Sequence, residues 1–376
     1  MNNFKIVKKS KKTNARIGVL KTEHGNVETP FFMSPATKGF LKSLDSLDMK
    51  MVGSKVALVN TYHLFLNPGD DFVKKQGGIH KFMNWDGPVL SDSGGFQVWS
   101  LNERSGNLVK IKNDGVEFKS PYDGSKCFID AEKSIKIQHN LGVDIVMAFD
   151  ECSKDSGDKK EVLKSMELTH KWSKDSFRVH KKLNKGGKLF FGIVQGGDFL
   201  DLRLESLKFV INQNTDGIAF GGETIGYNMK ESRKLLDKLI SYCPEDKPRY
   251  TMGLGAKPQD IIDAMVRGVD MFDCVSPARI ARHGELFVGK IDFKNFKIKS
   301  SEKNNIIRIA NSKFKNDKKP IDSGCNCPVC KQYSRAYLRY LFLQKEPLFM
   351  RLASIHNIYF MNEVVNKMKE FIKNEK

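Results

Sequence analysis

The sequence has no apolar run approaching about 18 residues, which excludes a transmembrane helix. Nor does the N-terminus, Met1-Asn2-Asn3-Phe4-Lys5-Ile6, carry the apolar stretch of a secretory signal, and a cytoplasmic location is expected. Acidic residues are in deficit: 44 Asp and Glu face 63 Lys and Arg, a net charge of +19 over 376 residues. Cysteine is sparse. Its seven residues are odd in number and three are clustered at Cys325, Cys327 and Cys330, which argues against a disulfide framework and for a metal site in a reducing compartment. Internal repeats and low-complexity linkers are absent. With 40% hydrophobic and 28% charged residues the chain can bury a large core, so disorder and collagen-like repetition are excluded.

The positive charge attracts polyanions, chiefly nucleic acid or an anionic membrane. A lysine-rich composition of the kind an AT-rich genome produces accounts for part of it, since lysine far outnumbers arginine.

Eight short runs, at 27–34, 56–61, 88–92, 144–150, 189–195, 217–222, 249–253 and 269–275, are largely apolar on both faces, as buried parallel strands are. Helical patterns at 39–51, 131–141, 161–183, 200–212, 231–242 and 259–267 lie between most of them. This alternation points to an α/β fold, a (β/α)8 TIM barrel over residues 1–284; an open doubly wound sheet accommodates the same order. Two stretches break the alternation. Residues 99–130 read as a β-hairpin insertion, with Val109-Lys110-Ile111-Lys112 and Val116-Glu117-Phe118 around Asn113-Asp114-Gly115. Residues 285–320 place Phe293, Phe296 and Ile298 among lysines, a solvated surface hairpin or a phosphate-contacting face. With the cysteine cluster and two helices, at 333–344 and 356–372, they make 285–376 a C-terminal zinc-binding subdomain packed on the barrel.

Cys325-x-Cys327-x-x-Cys330, followed by His356 at the expected start of the last helix, makes a closed Cys3His tetrahedron. Such a set is structural, with no open position for catalysis, and predicts one Zn2+ per chain. His356 alone also reads as a satisfied core histidine, but it is the only histidine after His283.

Catalytic groups of a (β/α)8 barrel sit at the C-terminal ends of the strands. There the runs place Asp92, Asp150, Gln195, Gly221, Gly222, Met252 and Asp273. With only His63 near a strand end, acid–base work falls to carboxylates. Paired carboxylates suit displacement at an anomeric carbon: one attacks, the other carries the leaving-group proton. Asp150 and Gln195 suit the edge of a planar heterocycle, and Phe96 suits stacking on a base or core packing. Each aspartate also reads as a helix N-cap, and each Gly-Gly pair as a tight turn.

Asp92-Ser93-Gly94-Gly95-Phe96-Gln97, Phe149-Asp150-Glu151-Cys152, Val194-Gln195-Gly196-Gly197, Met271-Phe272-Asp273-Cys274-Val275 and the Cys3His set together resemble a bacterial-type tRNA-guanine transglycosylase (queuine tRNA-ribosyltransferase). The similarity runs in order from about Ala15 to Lys369. It implies a zinc-containing barrel, acting as a homodimer, that replaces the wobble guanine of certain tRNAs by a 7-deazaguanine. By this resemblance Asp273 is the nucleophile and Asp92 the proton acceptor and donor. Ser93, Gly94, Gly95, Asp150, Gln195 and the Gly221-Gly222 backbone hold the base, and Phe96 and Met252 sandwich it. Gly253, Leu254, Gly255, Ala256, Lys257 and Pro258, with Pro277, Ala278, Arg279, Ile280, Ala281 and Arg282, match tRNA-contacting loops.

The departures are local. The usual Gly-Gly-Leu-(Ala/Ser)-Val-Gly-Glu is here Gly221-Gly222-Glu223-Thr224-Ile225-Gly226-Tyr227, in the loop that reads the 7-substituent. This leaves queuine and its aminomethyl precursor preQ1 both open. The usual Pro-Thr-Arg is Pro277-Ala278-Arg279, and the early Pro-Val-Gly-Thr is Ser34-Pro35-Ala36-Thr37. The archaeal branch is not expected, since no RNA-binding tail follows the last helix. Two other classes compete. A non-catalytic tRNA-binding subunit on this fold is free to lose its carboxylates, whereas Asp92 and Asp273 are both kept. A carbohydrate-active barrel needs neither the zinc knuckle nor the charge.

Overall fold

The computed structural model describes residues 3–95, 97, 109–152, 158–222 and 224–375. Eight parallel strands, Phe31–Pro35, Ala57–Val59, Val89–Ser91, Ile145–Met147, Leu189–Val194, Gly217–Phe220, Arg249–Thr251 and Met271–Asp273, form a closed barrel. The eighth pairs with the first, which rules out the open sheet. Alternation sorts the side chains: Met33, Leu58, Met147, Phe191 and Met271 fill the interior, while Phe32, Val59, Val146, Phe190 and Phe272 pack outward under the helices. Both faces of the strands are buried, which is why they read as continuous apolar runs.

The run at 27–34 is two strands. Gly25–Thr29 belongs to an antiparallel N-terminal sheet with Phe4–Lys9 and Arg16–Thr22. Pro30, which has no N–H for a ladder, separates it from the first barrel strand. Phe4, Leu20 and Val27 of this sheet join the interior cluster and close the barrel end opposite the mouth.

Helices Ala131–Leu141 and Leu200–Asn212 keep their expected bounds. Asp130 starts the former by accepting the Lys133 N–H, and Gly142, at φ 76°, ends it. The helix expected at 39–51 is confined to Ser46–Met51, capped by Asp45. Short helices Thr61–Leu66, Asp70–Lys75 and Ile79–Met83 fill the following connection. The insertion carries three strands instead of two, Val109–Lys112, Gly115–Lys119 and Lys126–Ile129; its residues 99–108 lie outside the described residues.

In the C-terminal region Glu285–Phe287 pairs with Ile306–Arg308, and Lys290–Asp292 with Lys297–Lys299. The alternation there has a packed and a solvated face. Phe293 stacks on Phe371 at 4.9 Å and Phe296 meets it edge-on at 5.5 Å, while Lys290, Lys294, Lys297 and Lys299 are exposed. Phe371 belongs to helix Pro347–Asn374, which begins well before the expected residue 356, with Pro347 in its first turn. His356 therefore sits within the helix and not at its start. Among the described residues no helix is long and apolar enough to cross a membrane.

Candidate functional site

The strands bring the candidate groups to one rim: Asp92 follows the third, Asp150 the fourth, Gln195 the fifth, Gly221 and Gly222 the sixth and Met252 the seventh, and Asp273 ends the eighth. Asp92 and Asp273 are partly accessible at the mouth yet enclosed by protein on most sides.

Asp92 Oδ1 accepts from the Thr61 N–H at 3.0 Å and the Gly94 N–H at 3.1 Å, and Oδ2 from Asn60 Nδ2 at 2.5 Å. Burial pushes its pKa from 3.8 up to about 7; the two amides oppose the rise, and the charges of Asp273 and Asp150 add to it. A carboxyl poised there can give and take a proton near neutrality.

Asp273 is held on one side. Its Oδ1 accepts from the Tyr250 hydroxyl at 2.6 Å and from the Gly253 N–H at 2.8 Å. Neither donor takes Oδ2. Burial raises the Asp273 pKa, and the same two donors oppose the rise. Gly253 has φ 68°, a conformation that favours glycine and brings its N–H onto the carboxylate.

Asp150 is buried. Its Oδ1 accepts from Ser93 Oγ at 2.6 Å and its Oδ2 from Gln195 Nε2 at 2.8 Å. Burial raises its pKa against these two donors. Gln195 Oε1 is buried with no hydrogen-bond partner among the described residues, an acceptor ready for a ligand N–H. Gly95 permits this packing, since a Cβ there would lie 2.2 Å from the Asp150 carbonyl oxygen. Gly221 gives its N–H to the Val194 carbonyl and accepts from Arg203 Nη1 at 2.6 Å, so Gly222 carries the part of the pair outside those bonds. Met252 is half-buried against the barrel interior. Phe96 and Glu223 lie outside the described residues.

The segments after the seventh and eighth strands flank Asp273. In the first, Gly253 and Lys257 are exposed, Ala256 is half-buried, and Leu254, Gly255 and Pro258 are buried. In helix Ser276–Arg282, Pro277, Ala278 and Ala281 face the core, Ile280 is half-buried and Arg279 is exposed. Arg282 donates to the Ala278 carbonyl at 2.9 Å, and burial followed by the charge of Arg279 lowers its pKa.

The cysteines and His356 converge. His356 Nδ1 lies 3.9, 3.4 and 3.4 Å from the sulfurs of Cys325, Cys327 and Cys330. An ion about 2.3 Å from sulfur and about 2.0 Å from nitrogen spans tetrahedral edges of about 3.5 Å. His356 is fully buried, and its Nε2–H donates to the Phe287 carbonyl at 2.7 Å, which leaves Nδ1 bare toward the thiolates. These four residues can hold a metal ion. The adjacent Asn357 donates to the carbonyls of Pro277 and Glu285, both at 3.0 Å, tying the helix that carries His356 to the helix beyond Asp273.

Several supporting residues escaped the sequence reading. Tyr250 lies two residues before Met252 on the same strand face, a position that period-2 alternation aims inward. Buried Arg203 gathers the carbonyls of Val194, Gly197 and Gly221, and Asn60 and Thr61 hold Asp92 from the neighbouring strand end. No local motif marks Arg203, Asn60 or Thr61.

The queuine tRNA-ribosyltransferase family model matches residues 10–376. A queuine tRNA-ribosyltransferase of Thermoanaerobacter pseudethanolicus is 44% identical over 373 residues, covering 99% of this chain and 94% of that protein. One from Caldanaerobacter subterraneus subsp. tengcongensis is 45% identical over 375 residues, with the same 99% and 94% coverage. One from Fusobacterium nucleatum is 44% identical over 364 residues, 96% of this chain and 92% of that protein. With the barrel, the rim of carboxylates and the Cys3His cluster, these matches place the protein: the chain belongs to the queuine tRNA-ribosyltransferase family of pentosyltransferases.

Proposed function

We propose that this chain exchanges the wobble guanine of tRNAs with GUN anticodons (Asp, Asn, His and Tyr) for a 7-deazaguanine, in queuosine modification, through a covalent enzyme–RNA intermediate. The observation that carries the mechanism is the unequal treatment of two carboxylates at one mouth. Asp273 is fixed through Oδ1 with Oδ2 left over, and Asp92 has a pKa of about 7.

In the first step Asp273 Oδ2 bonds to C1′ of the target ribose as the C1′–N9 bond to guanine breaks. Asp92 gives its proton to the departing base. In the second step N9 of the 7-deazaguanine attacks C1′, the ester to Asp273 breaks, and Asp92 takes the N9 proton, restoring both carboxyls. Asp150, Gln195, Ser93, Gly94, Gly95 and the Gly221-Gly222 backbone hold the base edge, with Phe96 and Met252 on its two faces. The buried Gln195 Oε1 supports this assignment, because a ligand N–H there satisfies it.

The same reading gives 253–258 and 277–282 to tRNA contact, with the basic segment 290–319 alongside. It divides the chain at residue 284 into a catalytic barrel and a zinc-binding C-terminal part, the ion being one structural Zn2+ held by Cys325, Cys327, Cys330 and His356. It places the protein in the cytoplasm, where seven free cysteines stay reduced. A homodimer is part of it. Tyr337, Tyr340, Leu343, Leu348 and Met350 are apolar or aromatic and exposed on two successive helices, a face suited to a second copy.

For the base we propose queuine over preQ1. Tyr227 replaces a carboxylate of the common loop and Glu223 adds one elsewhere, so the fit for a cationic amine is disturbed. The test is mass spectrometry of nucleosides from tRNA incubated with the protein and each base in competition. Queuosine as the main product supports the reading; preQ1 preferred, with no change on restoring the common loop, overturns the base assignment. Neither base incorporated overturns the activity.

A further inference from the structure

Two buried side chains, one turn apart on the same helix, grip the backbone on either side of Gln195. Arg203 and Ser206 stand at i and i+3 in helix Leu200–Asn212, so both reach the end of the fifth barrel strand, and both are fully buried. Arg203 Nε donates to the Gly197 carbonyl at 2.7 Å, and Nη1 donates to the carbonyls of Val194 at 2.9 Å and Gly221 at 2.6 Å. Ser206 Oγ accepts the Gln195 N–H at 3.1 Å and lies 3.0 Å from His170 Nε2, on helix Lys159–Leu183. The His170 ring is in turn stacked on Phe209, of the helix that bears Ser206, with centroids 4.0 Å apart and planes 13° from parallel. Gly196 permits this close approach: its φ is 131°, and a Cβ there would lie 2.8 Å from the Arg203 backbone nitrogen.

We propose that Arg203 and Ser206 are positioning residues for the base: they fix the backbone of Gln195 and join it to Gly221, so that the Gln195 amide is in place before a base arrives. This role presupposes the base exchange proposed above, in which Gln195 meets the edge of the heterocycle. The Gln195 side chain gives Nε2 to Asp150 and leaves Oε1 buried, without a partner among the described residues. Such an acceptor has to be held to within about 0.5 Å of its productive place. If the backbone is loose, the incoming base has to order it, and affinity falls.

A guanidinium is suited to this position and an ammonium is not. Two of its nitrogens, in one plane, serve carbonyls on three residues, whereas lysine brings a single nitrogen. Asp92 and Asp273 are held by other groups: Asn60, Thr61 and Gly94 for the first, Tyr250 and Gly253 for the second. Losing the grip on Gln195 therefore weakens capture of the base and spares bond cleavage at the ribose.

The test is steady-state exchange of labelled guanine into a GUN tRNA by the full-length protein. Arg203→Lys should raise the KM for guanine by about tenfold or more, and Ser206→Ala, which leaves the Gln195 amide without its acceptor, by roughly threefold to tenfold. Turnover at saturating guanine and the KM for tRNA should stay within about threefold of wild type, the pattern of lost base binding with transition-state stabilisation kept. Arg16→Lys controls for general loosening: Arg16 is buried against Asp270 at the closed end of the barrel, away from Gln195, and this variant should keep the wild-type KM for guanine. The proposal is overturned if Arg203→Lys and Ser206→Ala lower turnover with the guanine KM unchanged, or if Arg16→Lys raises that KM as much as they do. If Arg203→Lys does not fold, Ser206→Ala decides alone. A wild type that exchanges no guanine overturns instead the activity proposed above.

Discussion

The Tyr250 hydroxyl donates to Asp273 Oδ1 over 2.6 Å, from the strand next to the one that carries the aspartate. This hydrogen bond and the Gly253 amide engage the same oxygen, so the carboxylate is oriented without its second oxygen being covered. Tyr250→Phe keeps the ring and removes the donor. Adduct formation in a single turnover should slow by roughly tenfold to a hundredfold, the worth of a hydrogen bond to a charged group, about 1.5–3 kcal/mol. tRNA affinity should be unchanged. Equal losses in affinity and rate would reduce Tyr250 to a packing residue.

In the proposed mechanism Asp92 makes the reaction depend on pH. Its proton has to be present when guanine leaves, so adduct formation should decline as pH rises through about 7. Stability follows the same sign. The folded pKa of about 7 lies above the unfolded value of 3.8, so between them the native state holds a proton that the unfolded chain has released. The stabilisation is fully present below the unfolded value and is lost as pH rises through the folded one. Thermal midpoints of wild type and Asp92→Ala should diverge across this window, with the wild type falling more steeply; parallel curves would contradict the raised pKa.

Protein purified without chelator or added metal should contain about one zinc per chain, and Cys327→Ser none. Loss of the ion should loosen the C-terminal region first, because a structural site contributes folding energy. Helix Ser276–Arg282 should follow through Asn357. Elemental analysis and limited proteolysis check both parts, and a zinc-free wild type of normal stability would refute them.

Binding of tRNA should weaken steeply with salt as phosphates release counterions. Exposed Lys294 and Lys297 are suited to pairing with phosphates, whereas Lys299 and Lys313 pair with Asp292 and Glu302 at 2.6 and 3.0 Å. Lys294→Gln with Lys297→Gln should flatten the plot of log affinity against log salt by roughly 0.7–0.9 for each lysine–phosphate pairing removed. An unaltered slope would leave this face merely solvated.

Much of the barrel was legible because buried parallel strands are apolar on both faces, and because Asp130 and Gly142 punctuate the helix between them. The N-terminal sheet was not, since its last strand ends at Thr29, two residues before the apolar run that begins at Phe31, and only Pro30 marks the break. Pro347 similarly marks the true start of the last helix, whereas the apolar stripe is clearest in its second half. The strand-end rule found Asp92, Asp150, Gln195 and Asp273, because topology assigns the mouth before any side-chain partner is known. It could not find Arg203 or Asn60, whose partners sit at the ends of neighbouring strands and are named by no local motif.

The central claim is a covalent bond between Asp273 and the tRNA ribose. Its most direct measurement is the protein–RNA band that survives denaturing electrophoresis after incubation with a GUN tRNA. Wild type should give that band, and free 7-deazaguanine should discharge it with the new base in the RNA. Asp273→Ala should give none while still binding the tRNA. A denaturant-stable complex of equal yield from Asp273→Ala would contradict the account.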